Sequence, residues 1–286
     1  MGRVAQKGRK ELKDAPIGIF DSGIGGLTVV RRIGEVLPNE SIVYIGDTAR
    51  IPYGSKSPQT VKNFSIEIGS YLAEIGVKAV VIACNTASSY GLSTLSAILP
   101  VPVLGVVGPG ARVAATASKN GKIGVIGTRG TICSEAYQSA ILANRPELRV
   151  YAAEAPLLVP FVEEGHLDDE FVKLALKLYL NPILEKGIDT LVLGCTHYPL
   201  LQPAIEKYVG DKVNVIDSAS ATALALKELL KKTELMKDSG TVSKKRFYCT
   251  DNPQGFRREG SRFLGKEIEI VELLPLEELQ RAGSKR

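Results

Sequence analysis

Short runs of β-branched and apolar residues recur along the chain, and each gives way to a longer stretch with helical spacing that starts after Gly, Ser, Thr or Pro. That alternation predicts an α/β fold built on parallel sheets. The expected strands lie at 17–20, 42–46, 78–83, 103–107, 122–126, 149–152, 189–194 and 213–216. These runs divide into two sets of four. "IGIFDSG" from Ile17 matches "IGVIGTRG" from Ile123, and "VYIGD" from Val43 matches "VYAAE" from Val150. "LAEIGVKAVVIACN" from Leu72 matches "ILEKGIDTLVLGCT" from Ile183, and "VPVLGV" from Val101 matches "VNVIDS" from Val213. The offsets rise smoothly, 106, 107, 111 and 112. Collinear matches with small insertions point to an internal duplication, or to two similar halves under the same packing constraints.

The fold class expected is therefore two pseudo-symmetric, Rossmann-like parallel-sheet domains with the active site in the cleft between them. Residues 222–286 have no counterpart in the repeat. They open on "ATALALKELLKK", a helix with an apolar stripe and a basic end, and continue through a polar linker to strands near "RFYCT" and "EIEIVEL". The simplest arrangement returns this segment to the first half. The division expected is a basic, flexible tail at 1–14, a first domain from 15–110 plus 222–286, and a second from 111–221.

Composition narrows the class of function. The 286 residues are 44% hydrophobic and 23% charged, without Trp, as in an ordinary soluble globular protein. The net charge of +5 sits at the ends: residues 1–14 carry +3 and residues 281–286 another +3, which leaves the body at −1. No basic stripe with interleaved aromatics crosses the body, so specific nucleic-acid binding is not expected. The start of the chain holds no apolar stretch, and none elsewhere approaches the ~18 residues of a membrane span, so a cytoplasmic protein without membrane contact is expected. Four cysteines without paired spacing suit reduced thiols rather than a disulfide framework. There is no C-x-x-C and the only histidines are His166 and His197, so no metal site is expected.

Two strand ends carry the chemistry. "AVVIACNTAS" runs apolar up to Cys84 and then turns polar, and "TLVLGCTHYP" does the same with Cys195. A lone cysteine in such a place is usually a small core residue. Two at matched positions of a repeat, each followed by polar residues that start a helix, are better explained as functional thiols. Ligands of open α/β sheets bind beyond the carboxyl ends of the strands, so halves that face each other would offer one thiol from each side. A helix N-terminus also lowers a thiol pKa from about 8.5, favouring the thiolate. Cys133 and Cys249 have no such partner and are expected to be structural.

Other segments are weaker signals. "FDSGIGG" at 20–26 departs from a dinucleotide loop, because Thr28 holds the third glycine position and Asp21 would repel a diphosphate. Its glycines are expected to offer backbone donors to a small carboxylate, or only to make a tight turn. "GDTARIPYGSKS" at 46–57 is expected to form a rigid wall around Pro52, Tyr53 and Gly54. "VEEGH" at 162–166 places Glu163 and Glu164 on a loop expected either to close over the cleft or to be a solvated helix end.

Opposed thiols across a small cleft suit removal of a proton from one face of a tetrahedral carbon and its return to the other. Here the motifs become specific: "DSGIGG", "PYG", "CNTAS" and "GCTHYP", with the late "DNPQGF", resemble bacterial glutamate racemases of the aspartate/glutamate racemase superfamily over about residues 15–275. The resemblance implies cofactor-independent racemisation of glutamate by Cys84 and Cys195, in the cytoplasm, supplying D-glutamate for peptidoglycan, in a homodimer. It implies that Asp21 and Ser22 contact the substrate amine and Cys84, with Asp21 assisting that proton transfer. Pro52, Tyr53, Gly54, Asn85, Thr86 and Thr196 would hold the substrate, and His197 would assist Cys195. Thr128, Thr131 and Glu163 are similar to further site residues of the family.

Three rivals stay open at this stage. A relative acting on aspartate or another small acid would share the two thiols. A one-thiol hydrolase or decarboxylase would use His197 with Cys84 and leave Cys195 unexplained. A non-catalytic ligand clamp would need the two lobes but neither thiol.

Overall fold

The computed structural model describes residues 12–285, apart from 239 and 241. Most of the expected basic tail, residues 1–11, lies outside the described residues, whereas Lys13 is docked: its carbonyl accepts a hydrogen bond from Lys78 Nζ at 2.7 Å.

The first half contributes β1 (Ile17–Asp21), β2 (Ile42–Gly46), β3 (Ala79–Ile82) and β4 (Val103–Gly105). The second contributes β5 (Lys122–Gly127), β6 (Arg149–Glu154), β7 (Thr190–Gly194) and β8 (Asn214–Asp217). The last segment adds β9 (Lys245–Cys249) and β10 (Glu272–Leu273). They assemble into two wholly parallel sheets, a six-stranded β10-β9-β2-β1-β3-β4 and a four-stranded β6-β5-β7-β8. The order β2-β1-β3-β4 repeats as β6-β5-β7-β8, so the two α/β domains carry the same topology. The expected long strand at "EIEIVEL" shrinks to Glu272–Leu273, because Ile268 turns into the core while Ile270 is exposed.

Register supports three of the four offsets and corrects one. Ile17 pairs with Ala79 as Ile123 pairs with Thr190, and Val80 pairs with Val103 as Leu191 pairs with Val215. Ile17 pairs with Ile42, however, whereas Ile123 pairs with Val150, an offset of 108 rather than 107. A one-residue slip exchanges the two faces of a strand, so the apparent identity of "VY" in β2 and β6 is not structural equivalence.

Burial follows the layers. One cluster joins Ile17, Ile19, Leu27 and Ile33 of the first half to Leu176, Leu191 and Leu193 of the second, running continuously through both domains. Separate clusters cover the other face of each sheet, around Ile68, Val80 and Leu95 in one and Ala111, Val125 and Ile141 in the other. The helix Val107–Ala117 spans the expected division at 110/111 and packs on β7, β8 and the helix Ala136–Asn144. The helix Ser218–Lys232 spans the expected return at 222. It packs against both Leu27–Val36 of the first half and Val107–Ala117.

Candidate active site

The carboxyl ends of β1, β2, β3, β5 and β7 converge on a cleft of about 670 Å³. It is lined from the first half by Ser22, Pro52, Tyr53, Gly54, Cys84, Asn85 and Thr86, and from the second by Thr128, Thr131, Glu163, Cys195, Thr196 and His197. Each thiol stands just beyond its strand and is 6% exposed. Of the residues expected at the site, Asp21 is fully buried behind the cleft wall, and Glu164, which follows the helix Leu158–Glu163, is exposed and off the wall, as in the solvated helix end expected for it.

Cys84 caps the helix Asn85–Ile98, its Sγ accepting from Ala87 N at 3.4 Å, with Ser22 Oγ at 3.8 Å. The expected lowering of its pKa does not hold. Burial, with the negative charge of Asp21 beside it, pushes the thiol up to about 12 despite the hydrogen bonds it makes with Ala87 N and Ser22 Oγ. Desolvation of the charged form outweighs one helix end. These causes favour the thiol form of Cys84 over the thiolate.

Asp21 explains where the glycine-loop donors go. Gly23 N donates to Asp21 Oδ2 at 3.0 Å, and the Gly26 amide also hydrogen-bonds the carboxylate. The loop cradles the protein's own carboxylate, so the expectation that it offers these donors to a ligand is corrected. Burial raises the Asp21 pKa, opposed by the charge of His197 and hydrogen bonds from Gly23, Gly26 and Thr196.

On the other side, Cys195 Sγ lies 3.8 Å from His197 Nδ1, and His197 Nε2 lies 2.9 Å from Glu163 Oε1. Burial pushes the imidazolium down, but hydrogen bonds and charge from Cys195 and Glu163 more than offset it and hold His197 up at about 10. Phe263 meets the ring edge-on at 5.1 Å between centroids. Glu163 ends the helix Leu158–Glu163 rather than sitting on a free loop. Arg262 Nη2 closes that helix by donating to the carbonyls of Val162 at 2.7 Å and Glu163 at 2.8 Å.

Hydrogen bonds stitch the halves together at the cleft floor. Thr86 Oγ1 lies 2.8 Å from Thr128 Oγ1 and 3.1 Å from Thr131 Oγ1. Thr28 Oγ1 donates to the Thr196 carbonyl at 3.0 Å, and Thr196 Oγ1 to Asp21 Oδ1 at 3.4 Å. Glycine is required where backbones meet side chains: a Cβ on Gly25 would stand 2.4 Å from Thr196 Oγ1 and 2.5 Å from His197 Nδ1. One on Gly54 would stand 2.7 Å from Thr128 Cβ.

Several site residues were missed in the sequence. Asp251, Asn252, Phe256 and Glu259 line the cleft, brought there by the last segment's return; "DNPQGF" was the available signal. Asp47 anchors the wall that carries Tyr53, accepting from Tyr53 Oη, from Arg50 Nε at 2.7 Å and from Thr250 Oγ1 at 3.0 Å. Cys249 is buried as expected, but Cys133 is exposed, with its Sγ 3.5 Å from Glu154 Oε1. Among the described residues no cluster of three or more His, Cys, Asp and Glu could hold a metal, and no helix is long and apolar enough to cross a membrane.

Two facing parallel-sheet domains with a thiol at equivalent strand ends define a class, and the sequence agrees: the chain belongs to the Asp/Glu/hydantoin racemase family, whose profile it matches over residues 17–226. Within that family it is similar to glutamate racemases. That of Geobacter metallireducens is 48% identical over 261 residues, covering 91% of this chain and 97% of the relative. That of Persephonella marina is 46% identical over 257 residues, covering 90% and 96%. Among solved structures, the glutamate racemase of Francisella tularensis in complex with D-glutamate superposes with a TM-score of 0.87 at 38% identity, over 93% of this chain and 99% of that one. The RacE1 glutamate racemase of Bacillus anthracis gives 0.89 at 42% identity, over 92% and 98%.

Proposed function

We propose that this enzyme interconverts L- and D-glutamate by proton transfer at Cα between Cys84 on one face and Cys195 on the other, without a cofactor. The observation that carries the reading is that two thiols from equivalent strand ends line one cleft. In one direction Cys195, with His197 against it, takes the Cα proton. Cys84, held as the thiol, delivers its own proton to the opposite face. One C–H bond breaks and one forms, and the two cysteines exchange protonation states. In the other direction Cys84 must begin as thiolate, and the raised pKa of Asp21 makes it the residue to accept and return that proton. Asn85, Thr86, Thr196 and the Tyr53–Gly54 wall are the substrate-holding groups, and Glu163 keeps His197 charged and oriented. We assign the product to D-glutamate supply for peptidoglycan, with the enzyme working in the cytoplasm as a homodimer.

The test is incubation with glutamate in D2O without added cofactor, following optical rotation and the Cα proton by NMR. Loss of rotation with deuterium entering at Cα supports the reading. Retention of both signals, with the same exchange seen on aspartate, would replace glutamate as the substrate; retention on both acids would refute racemisation.

A further inference from the structure

Asn85 follows Cys84 directly and reaches the cleft from the first domain, only 3% exposed. Its carboxamide has two unlike ends. Oδ1 accepts a hydrogen bond from the Tyr137 hydroxyl at 2.7 Å, whereas Nδ2 is buried without a hydrogen-bond partner among the described residues. A buried amide donor left unpaired is costly, and in a cleft built for an acid the group that relieves it is a carboxylate. Which end of the amide faces the ligand is set by what holds the other end.

Tyr137 belongs to the second domain, at the start of the helix Ala136–Asn144, and is fully buried. Its ring has little freedom. A Cβ on Gly194, the residue before Cys195, would stand 3.2 Å from Tyr137 Cε2, and one on Gly110 would stand 3.4 Å from the hydroxyl oxygen. Burial raises the phenol pKa, so the group keeps its proton and remains a donor.

We propose that Tyr137 is a positioning residue for substrate binding: by donating from behind the cleft wall to Asn85 Oδ1, it fixes the carboxamide with Nδ2 as the donor offered to a substrate carboxylate. The inference rests on the glutamate racemase reading of the cleft. It gives the second domain a hold on a first-domain binding group, so the relative placement of the two halves enters substrate affinity directly. Rotated by half a turn, the amide would present Oδ1 to the carboxylate and repel it.

The test is Tyr137→Phe, which removes one oxygen and keeps the ring. Expected is a rise of about 10-fold in the KM for glutamate with kcat within about 3-fold, the pattern of an interaction made equally in ground and transition states. In the Asn85→Ala background the same substitution should leave KM unmoved. In protein labelled with 15N-asparagine, the Asn85 side-chain amide signal, identified by its loss in Asn85→Ala, should shift in Tyr137→Phe. A lower melting temperature with unchanged KM, an equal KM rise in both backgrounds, or an unmoved amide signal would each overturn the inference. The amide signal needs no substrate, so it reports on the Tyr137–Asn85 bond separately. A wild-type enzyme that leaves glutamate untouched would instead overturn the racemase reading.

Discussion

Gly25→Ala places a methyl group where the first-domain loop meets the turn that carries His197. On the present backbone that carbon would stand 2.4 Å from Thr196 Oγ1 and 2.5 Å from His197 Nδ1, whereas ordinary contact begins near 3.4 Å. Either the loop or the Thr196–His197 turn must give by about 1.0 Å. Both atoms belong to short side chains packed in a buried network, so neither swings aside freely. Overpacking of this kind costs about 1–3 kcal/mol, which for a chain of this length lowers the melting temperature by roughly 2–5 °C. Misplacing a catalytic group by about 1 Å costs up to ~100-fold in rate, so kcat/KM for glutamate should fall about 10- to 100-fold. Gly108→Ala is the control, since among the described residues nothing beyond its chain neighbours and its own helix backbone lies within 4 Å of the carbon it would add, and the residue sits within the helix Val107–Ala117. Paired kinetics and thermal melts of the two variants give the answer. Activity of Gly25→Ala within 2-fold of the wild type would refute the claim that this close approach holds the His197 side of the cleft in place.

Other substitutions probe the site and the frame separately. Cys84→Ala and Cys195→Ala should each cut racemisation by about 10²–10⁴-fold while far-UV circular dichroism stays unchanged; full activity in either would end the two-base mechanism. Glu163→Gln should lower the His197 pKa from about 10, by about one unit after allowing for the exposure of Glu163, measurable by NMR titration of the ring. Because the folded-state pKa of His197 is raised from 6.5, its contribution to stability is full below pH 6.5 and lost as pH climbs through about 10. The wild type should therefore lose more melting temperature across that window than Glu163→Gln, and equal losses would remove Glu163 as a cause. Lys78→Met breaks a fully buried pair with Glu40 and removes hydrogen bonds to the carbonyls of Lys13 and Leu235. A cost of about 3–5 kcal/mol is expected, with kcat of the folded fraction unchanged; a melting temperature equal to wild type would refute it.

The strands were legible because parallel strands buried on both faces are continuous apolar runs, and the thiols because each breaks such a run at its carboxyl end. The doubled topology was legible for a related reason: equivalent strands keep similar residues at nearly constant spacing. What stayed hidden depends on contacts distant in sequence. Nothing local to Asn85 tells that its amide meets Tyr137, and nothing local to Glu259 tells that its helix lines the cleft. Asp21 was recognised as a site residue, but its burial behind the wall follows from loop amides folding back on it, a tertiary outcome. The rise of the Cys84 pKa is hidden from the sequence for the same reason. A helix start can be read from sequence, whereas desolvation and a carboxylate from another strand cannot. The matching "VY" pairs misled by one residue because similarity of letters carries no information on hydrogen-bond register.

The strand order has a consequence for how the chain is made. The four-stranded sheet is continuous in sequence, from Lys122 to Asp217, and all its strands are available once the ribosome has passed that point. The six-stranded sheet is not: β2 at Ile42–Gly46 waits for its neighbour β9 at Lys245–Cys249, about two hundred residues later. Throughout that interval one side of β2 has no partner in the nascent polypeptide. The domain begun first is thus the one finished last, and Arg262, which closes the helix bearing Glu163, emerges only afterwards. A truncation anywhere after Asp217 and before β9 would leave the second sheet complete beside an open strand edge, a template for pairing with other chains.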